Sequence, residues 1–173
     1  VLNNTLQELM GESSNTIIPP PQYTILKEQN TANYRQLIIA YLTEPDEEVR
    51  AHLLIPHRQN GAAVLCLHGT SVEAKDTQLG ADEKPNRDWA RFLSDRGFIT
   101  LSPDHVCSGE RFTGGEKPYD TSTFYERHPQ WSAMGKAVWD GKRALDILQT
   151  VEGVDKNRIG CIGHSLGGHG TMW

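Results

Sequence analysis

A serine between two glycines, in the run Gly163-His164-Ser165-Leu166-Gly167, constrains the fold of this chain more than any other feature. The apolar stretch 158–162 precedes this run, and residues 166–173 after it are long enough for about two helical turns. The pattern predicts a sharp strand-to-helix turn that projects the serine hydroxyl, with Gly163, His164 and Gly167 shaping the site around it. We expect a strained, positive φ at Ser165. Such a serine is a candidate nucleophile for acyl transfer, and the alternative is a glycine-rich turn with an incidental serine.

Strand-like and helix-like patterns alternate in the chain before this turn. The continuous apolar runs 62–67 and 98–101 are typical of strands buried on both faces. Helical patterns follow each of them, at 86–96 and from Trp131 to Leu148. This alternation predicts an α/β fold with helices on both faces, in which the strands that end at Leu67, Leu101 and Ile162 are parallel neighbours. Nearer the N-terminus, short turn-like stretches separate three strand candidates and predict antiparallel pairing: 23–27, 34–42 and 49–55.

The length of 173 residues is that of one domain or most of one. Residues 1–22 are interpreted as an N-terminal arm, in which Leu2, Leu6 and Leu9 with Met10 predict a short amphipathic helix that Gly11 ends. Residues 23–173 are predicted to be the N-terminal part of a single α/β domain.

The charge balance and the cysteine content exclude several classes of function. The 17 basic residues face 22 acidic ones, and the net charge of −5 argues against nucleic acid and against an anionic membrane surface as partners. No apolar run approaches the roughly 20 residues of a membrane span. Three cysteines are too few for a disulfide framework, so we expect a reducing, cytoplasmic location. We find neither a zinc-ligand spacing nor a phosphate-binding loop, so no metal and no cofactor is expected.

A second element with chemical meaning is Leu67-His68-Gly69-Thr70, directly after a buried strand. The carboxyl ends of parallel strands meet at one edge of a sheet, so this loop is expected beside Ser165. The oxyanion of an acyl-transfer intermediate needs two backbone N–H donors, and we assign them to Thr70 and Leu166. His68 is expected to brace the loop through hydrogen bonds and not to act as the base, with Gly69 helping to shape the site. The alternative is an ordinary strand end.

The long segment 105–129 follows another strand end, where substrate loops belong. It is either a cap over the acyl or alcohol pocket or a solvated loop with packing aromatics, and its candidate side chains are Glu110, Arg111, Phe112, Tyr119, Phe124 and Tyr125. We interpret Glu110 and Arg111 as a structural ion pair. Asp104 is expected to accept hydrogen bonds from nearby backbone. Helical spacing predicts a charged helix edge at Asp140, Arg143 and Asp146.

The two cysteines in the apolar runs before the functional turns, Cys66 and Cys161, are expected on adjacent strands. We predict free, buried thiols with raised pKa values, because few neighbouring pairs on parallel strands meet the geometry of a disulfide.

The chain resembles the α/β-hydrolase superfamily, and within it the acetyl xylan esterase and dienelactone hydrolase-like group. The segments that carry the resemblance are Val64–Gly69, Leu101–Asp104, Gly109–Arg111, Trp139–Asp140 with Arg143–Asp146, and Asp155–Gly168. The resemblance implies an α/β-hydrolase fold with a mostly parallel sheet and hydrolysis of esters by a Ser/Asp/His triad without a cofactor. The implied substrate is a small-molecule ester or an acetylated saccharide.

Two rival interpretations stay open at the level of sequence. One is a serine peptidase of the prolyl oligopeptidase kind, which shares the serine turn, and the other is a non-catalytic binding module on the same scaffold. The superfamily's triad runs in the order Ser, Asp or Glu, His, and only eight residues follow Ser165. None of the preceding histidines, nor His169, occupies the position of the base. The Asp and the His, and the strands that carry them, are therefore expected beyond Trp173.

Overall fold

The computed structural model describes residues 5, 8–11, 17–82, 84–112, 114 and 117–173. Six strands within these residues form one sheet in the order β1-β2-β3-β5-β4-β6. The strands are β1 (Tyr23–Asn30), β2 (Tyr34–Glu44), β3 (Glu47–Pro56), β4 (Ala63–Leu67), β5 (Ile99–Pro103) and β6 (Ile159–Gly163). The α-helices are α1 (Trp89–Ser94), α2 (Ser122–Arg127), α3 (Ala133–Leu148) and α4 (Leu166–Met172), and two short 3₁₀ helices cover Ala74–Leu79 and Gly109–Arg111.

The sheet is antiparallel at one side and parallel at the other. Strands β1, β2, β3 and β5 pair antiparallel in succession, while β4 pairs parallel with both β5 and β6. The predicted neighbours that end near Leu67, Leu101 and Ile162 are thus confirmed as parallel strands. The described part of the sheet is mixed, because its first three strands are connected by short turns that permit only antiparallel pairing.

Both faces of the sheet are covered, which explains why β4 is apolar throughout. On β4, Leu65 and Leu67 belong to a core cluster that also contains Ala144 and Ile147 of α3. Cys66, between them in sequence, belongs to a second cluster with Ala90 of α1. Successive side chains of a strand point to opposite faces, so α3 and α1 lie on opposite sides of the sheet.

The predicted helix at 86–96 is shorter than expected, because the chain turns first. Asn86 takes a left-handed backbone conformation with φ of 61°, and α1 begins only at Trp89. The segment 105–129 is more ordered than a simple loop, since it contains the second 3₁₀ helix and α2.

The described parts of the predicted arm contact the rest of the chain. Residues 8–10 are helical and Gly11 follows with φ of 72°, as predicted, while Leu2 and Leu6 lie outside the described residues. The Met10 carbonyl accepts hydrogen bonds from the Ser132 N–H and hydroxyl, each at 2.8 Å. The Arg143 guanidinium donates to the Pro19 carbonyl at 2.6 Å. The arm is therefore anchored to both ends of α3.

Candidate active site

Ser165 occupies the sharp turn between β6 and α4, with φ of 52° and ψ of −117°. This confirms the strained backbone predicted from the sequence. A side-chain Cβ at Gly163 would overlap the Gly167 carbonyl, and one at Gly167 would overlap the Leu67 carbonyl. Only glycine fits at these two positions, because other backbone carbonyls lie too close for a side chain. The contact with the Leu67 carbonyl shows that the turn is packed against the end of β4. Ser165 itself is exposed.

The predicted meeting of the two loops is present. A Cβ at Gly69 would lie 3.2 Å from His164 Nδ1 and 3.6 Å from Ser165 Cβ, so the backbone of the loop after β4 touches the serine turn. Parallel pairing of β4 with β6 brings these strand ends together, because Leu67 is in register with Gly163. Ser165, Gly69 and their neighbours therefore form one continuous surface.

A cavity of about 230 Å³ opens beside this surface. Thr70 and Leu166, the two residues assigned as oxyanion donors, both line it. In the described part of the chain, neither of their backbone N–H groups donates a hydrogen bond to another protein atom. The remaining walls are mostly apolar and come from the segment after β5 and from α3: His105, Val106, Tyr119, Thr121, Ala133, Met134 and Ala137.

His68 braces the loop, as predicted, and its partner is a second histidine that sequence reasoning did not single out. His68 Nδ1 lies 2.8 Å from the Gly69 carbonyl, and its Nε2 lies 3.2 Å from the His105 N–H. One neutral tautomer satisfies both contacts, with Nδ1–H donating and Nε2 accepting. In return, His105 Nε2 lies 2.9 Å from the His68 carbonyl. The two residues thus bond the ends of β4 and β5 reciprocally.

Burial keeps this histidine pair uncharged. Desolvation lowers the pKa of His68 to about 4 and that of His105 to about 3. Both rings are buried, and their centroids are 4.4 Å apart. At neutral pH the pair acts as a hydrogen-bonded strut without charge.

Asp104 accepts hydrogen bonds from the backbone, as predicted, and also holds a buried lysine. Its carboxylate accepts from the Lys75 N–H at 3.0 Å, from the Glu110 N–H at 3.2 Å and from Lys75 Nζ at 2.8 Å. Burial alone would lower the pKa of Lys75, but the charge of Asp104 reverses this and raises it. The start of the segment 105–129 is therefore tied to the 3₁₀ helix that follows the Thr70 loop.

The prediction that Glu110 and Arg111 pair with each other is wrong. Glu110 binds Lys75 Nζ at 2.6 Å and also pairs with Arg50, whereas Arg111 binds Asp140 at 2.6 Å and also pairs with Glu47. Residues adjacent in an extended or 3₁₀ segment point apart, so each reaches a different neighbour.

The predicted charged edge of α3 is also wrong for two of its three residues. Asp140 and Arg143 are buried. Asp140 lies 2.6 Å from both Arg111 and Lys136, whose charges hold its pKa below the ordinary value although burial opposes this. The helix presents Asp140 to Arg111 of the segment 105–129 and Arg143 to the Pro19 carbonyl of the arm, not to solvent.

Among the candidate cap residues, Tyr119 lines the cavity, and its hydroxyl reaches the Thr70 loop. Phe124 packs instead with Cys107 and Trp131 in a separate buried cluster. The Tyr125 hydroxyl accepts a hydrogen bond from the Ala133 N–H at 3.2 Å. The segment is thus partly a wall of the site and partly its own small core.

Cys66 and Cys161 are free, as predicted, and lie on adjacent strands. Cys66 is buried, but the expectation of burial is wrong for Cys161, which is exposed. It is in register with Leu65, on the face of the sheet where α3 packs over β2, β4 and β5, whereas the main helix against β6 in the described residues is the short α4. The Cys161 thiol lies 3.4 Å from the Thr171 hydroxyl of that helix.

A metal-binding cluster of three or more His, Cys, Asp or Glu residues is not found among the residues that the structure describes. No helix in this part of the chain is long and apolar enough to cross a membrane.

Comparisons with known proteins agree with the resemblance seen in the sequence. The sequence model of the Abhydrolase family matches residues 2–173. The Bacillus subtilis protein YtaP, named as a hydrolase, is 27% identical over 133 residues, which are 73% of this chain and 44% of YtaP.

Two solved structures show the same fold. A Bacteroides fragilis protein named as an acetyl xylan esterase is 25% identical, with a TM-score of 0.75 over 90% of this chain and 45% of its own. The dienelactone hydrolase-like promiscuous phosphotriesterase P91, from metagenomic libraries, is 16% identical, with a TM-score of 0.59 over 82% of this chain and 53% of its own. The chain thus spans about half the length of these proteins, and the predicted α/β-hydrolase fold is confirmed.

Proposed function

Because the chain belongs to the Abhydrolase family, we propose that its site hydrolyses carboxylic esters of small acyl groups through an acyl-enzyme on Ser165. The observation that carries this proposal is the position of Ser165, exposed on a strained turn at the carboxyl edge of the sheet and next to the Thr70 loop. Strain of about 1–3 kcal/mol persists at such a position only where the surrounding packing enforces it, and it is concentrated at functional sites.

In the proposed reaction, Ser165 Oγ attacks the ester carbonyl and loses its proton to a base. The carbonyl oxygen becomes an oxyanion, which the Thr70 and Leu166 N–H groups stabilise. When the tetrahedral intermediate collapses, the alcohol leaves and the acyl group stays on Ser165 until water releases it. Family resemblance assigns the base to a His and its orienting partner to an Asp, both expected beyond Trp173.

The size and lining of the cavity support a small acyl group. Its volume of about 230 Å³ equals that of roughly eight liquid waters, enough for an acetyl group or a somewhat longer chain. Val106, Met134 and Ala137 give it apolar walls, which favour an aliphatic acyl group over a charged one. An acetylated saccharide fits this proposal on its acyl side, and the Bacteroides fragilis protein is named as an acetyl xylan esterase.

Replacement of the nucleophile tests the proposal. In the full-length protein, Ser165→Ala should reduce turnover of p-nitrophenyl acetate by as much as about a millionfold, since the acyl-enzyme can no longer form. A fluorophosphonate should label the wild type at Ser165, as mapped by mass spectrometry. Ser122→Ala, an exposed serine at the start of α2, is the matched control and should keep full activity.

Near wild-type turnover by Ser165→Ala would refute the assignment. Turnover of a peptide p-nitroanilide, tested in parallel, would identify a peptidase instead of an esterase. A wild type that is neither labelled by the fluorophosphonate nor active on either substrate would favour the binding module.

A further inference from the structure

The Tyr119 hydroxyl forms two hydrogen bonds with the residue that follows Thr70. It accepts from the Ser71 N–H at 2.9 Å and donates to the Ser71 carbonyl at 2.7 Å. The Ser71 N–H belongs to the peptide group between Thr70 and Ser71, and the hydroxyl also lies 3.4 Å from the Gly69 carbonyl, which belongs to the peptide group that carries the Thr70 N–H. One hydroxyl thus contacts both peptide groups that flank Thr70. The contact spans 48 residues of sequence, so it joins the cap segment directly to the loop that carries Thr70.

Few other contacts hold this loop in the part of the chain described. Thr70 and Val72 are exposed, and after Gly69 the first backbone bond back to the loop is from the Ala74 N–H to the Ser71 carbonyl, at 3.2 Å. The His68 strut fixes the loop at its start, at the end of β4. Between the strut and the 3₁₀ helix at Ala74–Leu79, the Tyr119 hydroxyl is the side-chain anchor.

Tyr119 is itself held firmly. Its N–H donates to the Cys107 carbonyl at 2.7 Å, and both residues take positive φ, 68° at Tyr119 and 59° at Cys107. This bond ties the backbone of Tyr119 to Cys107, four residues after the end of β5. Burial raises the pKa of Tyr119, so its hydroxyl keeps the proton that it donates.

We propose that Tyr119 is a positioning residue, whose hydroxyl fixes the Thr70 N–H where the oxyanion develops. The inference rests on the proposed function of Ser165. An oxyanion donor is effective only within about 2.7–3.1 Å of the charge that forms, and a donor that must be reoriented during the reaction loses most of its value. The Gly69 carbonyl and the Thr70 N–H lie in one planar peptide group, so the Tyr119 hydroxyl, which contacts that carbonyl and the Ser71 N–H, limits rotation of the Thr70 N–H from both sides of the residue. The cap segment thus acts on the chemical step through one hydroxyl.

The test is Tyr119→Phe in the full-length protein, which removes the hydroxyl and keeps the ring that lines the cavity. We expect kcat for p-nitrophenyl acetate to fall by about 10- to 100-fold, less than the loss on deleting a donor outright, because the donor is loosened and not removed. KM should stay within about twofold, since the loss is felt in the transition state and not in substrate binding. Affinity for a trifluoromethyl ketone, which forms a tetrahedral adduct, should fall by the same factor as kcat/KM.

Tyr23→Phe is the matched control. It removes a tyrosine hydroxyl on β1, at the opposite edge of the sheet from β6 and the serine turn. This variant should keep the wild-type kcat. Titration of Ser165 with a fluorophosphonate gives the concentration of folded active sites in each preparation, so kcat stays defined even if Tyr119→Phe folds in lower yield.

Two results would overturn the inference: an unchanged kcat in Tyr119→Phe, or a raised KM with an unchanged kcat, which would make Tyr119 only a wall of the cavity. A wild-type protein that Ser165-directed reagents do not label would instead refute the proposed function, and this outcome is independent of Tyr119.

Discussion

The buried histidine pair makes the folded state sensitive to acid well above the range in which carboxylates are protonated. Both rings have an ordinary pKa of 6.5, and in the folded protein these values fall to about 4 at His68 and about 3 at His105. At pH 5 the folded state therefore binds neither proton, whereas the unfolded chain binds both. Their contribution to stability is complete above pH 6.5 and is lost as the pH falls toward 4.

The size of the effect follows from these values. At pH 5 each unfolded histidine lies about 1.5 units below its pKa, and one unit corresponds to about 1.4 kcal/mol, so each ring lowers the free energy of unfolding by about 2 kcal/mol. Together they lower it by about 4 kcal/mol, a large part of the typical 5–15 kcal/mol of a folded protein. Carboxylates contribute mainly below about pH 4.5, so the interval from pH 7 to 5 isolates the histidines.

The assay measures the free energy of unfolding by chemical denaturation at pH 7, 6 and 5, for the full-length wild type and for the His105→Gln variant. Glutamine can still donate to the His68 carbonyl but cannot be protonated, so the loss of stability over this interval should be about 2 kcal/mol smaller in the variant. The ¹⁵N resonances of the wild type should show His68 as the Nδ1–H tautomer down to pH 5. Parallel loss of stability in the two proteins, or titration of His68 near pH 6.5 in the folded state, would refute this account.

The glycines and cysteines give two further expected outcomes. Gly167→Ala should destabilise the protein by about 1–3 kcal/mol or prevent its folding, because the new methyl group would meet the rigid Leu67 carbonyl. Gly141→Ala, in the interior of α3 with no neighbour within 4 Å, should instead raise the free energy of unfolding by about 0.5–1 kcal/mol, and urea denaturation of both variants would show opposite shifts. In thiol titration of the native protein, Cys161 should react first and Cys66 only on unfolding, because Cys66 is buried and burial raises its pKa. Equal rates of modification of the two thiols would contradict the packing described.

The serine turn could be predicted from sequence because its determinants are local. Glycines at two fixed offsets from Ser165 are required by backbone contacts within and next to the same turn, and an apolar run must precede it. The parallel order of β4, β5 and β6 followed from alternation of strands and helices, which leaves few ways to connect them. The meeting of the Thr70 loop with Ser165 is a consequence of that order.

Long-range side-chain contacts could not be predicted in the same way. Asp140 and Arg143 have the spacing of an exposed ionic edge, and the partner that buries Asp140 is Arg111, 29 residues away. Helical spacing shows that charged residues share a face, but what covers that face is decided by tertiary packing. For Cys161 the apolar run was correctly assigned as a strand, and its exposure depends on the path of α3 over other strands.

The loop that carries Thr70 is held at two points that differ in stiffness. At its start, the reciprocal bonds of His68 and His105 lie between two sheet strands and are buried, so they change only if the sheet itself does. Further along, its anchor is the Tyr119 hydroxyl, which lies in the segment 105–129 beyond the ion pairs of Glu110 and Arg111 with β3. In the proposed role of Tyr119, a change in this later part of the segment alters the orientation of the Thr70 N–H while Ser165 and the sheet stay in place. Under the proposed function, rate and acyl preference are then modified through the cap segment without loss of the geometry of the serine turn.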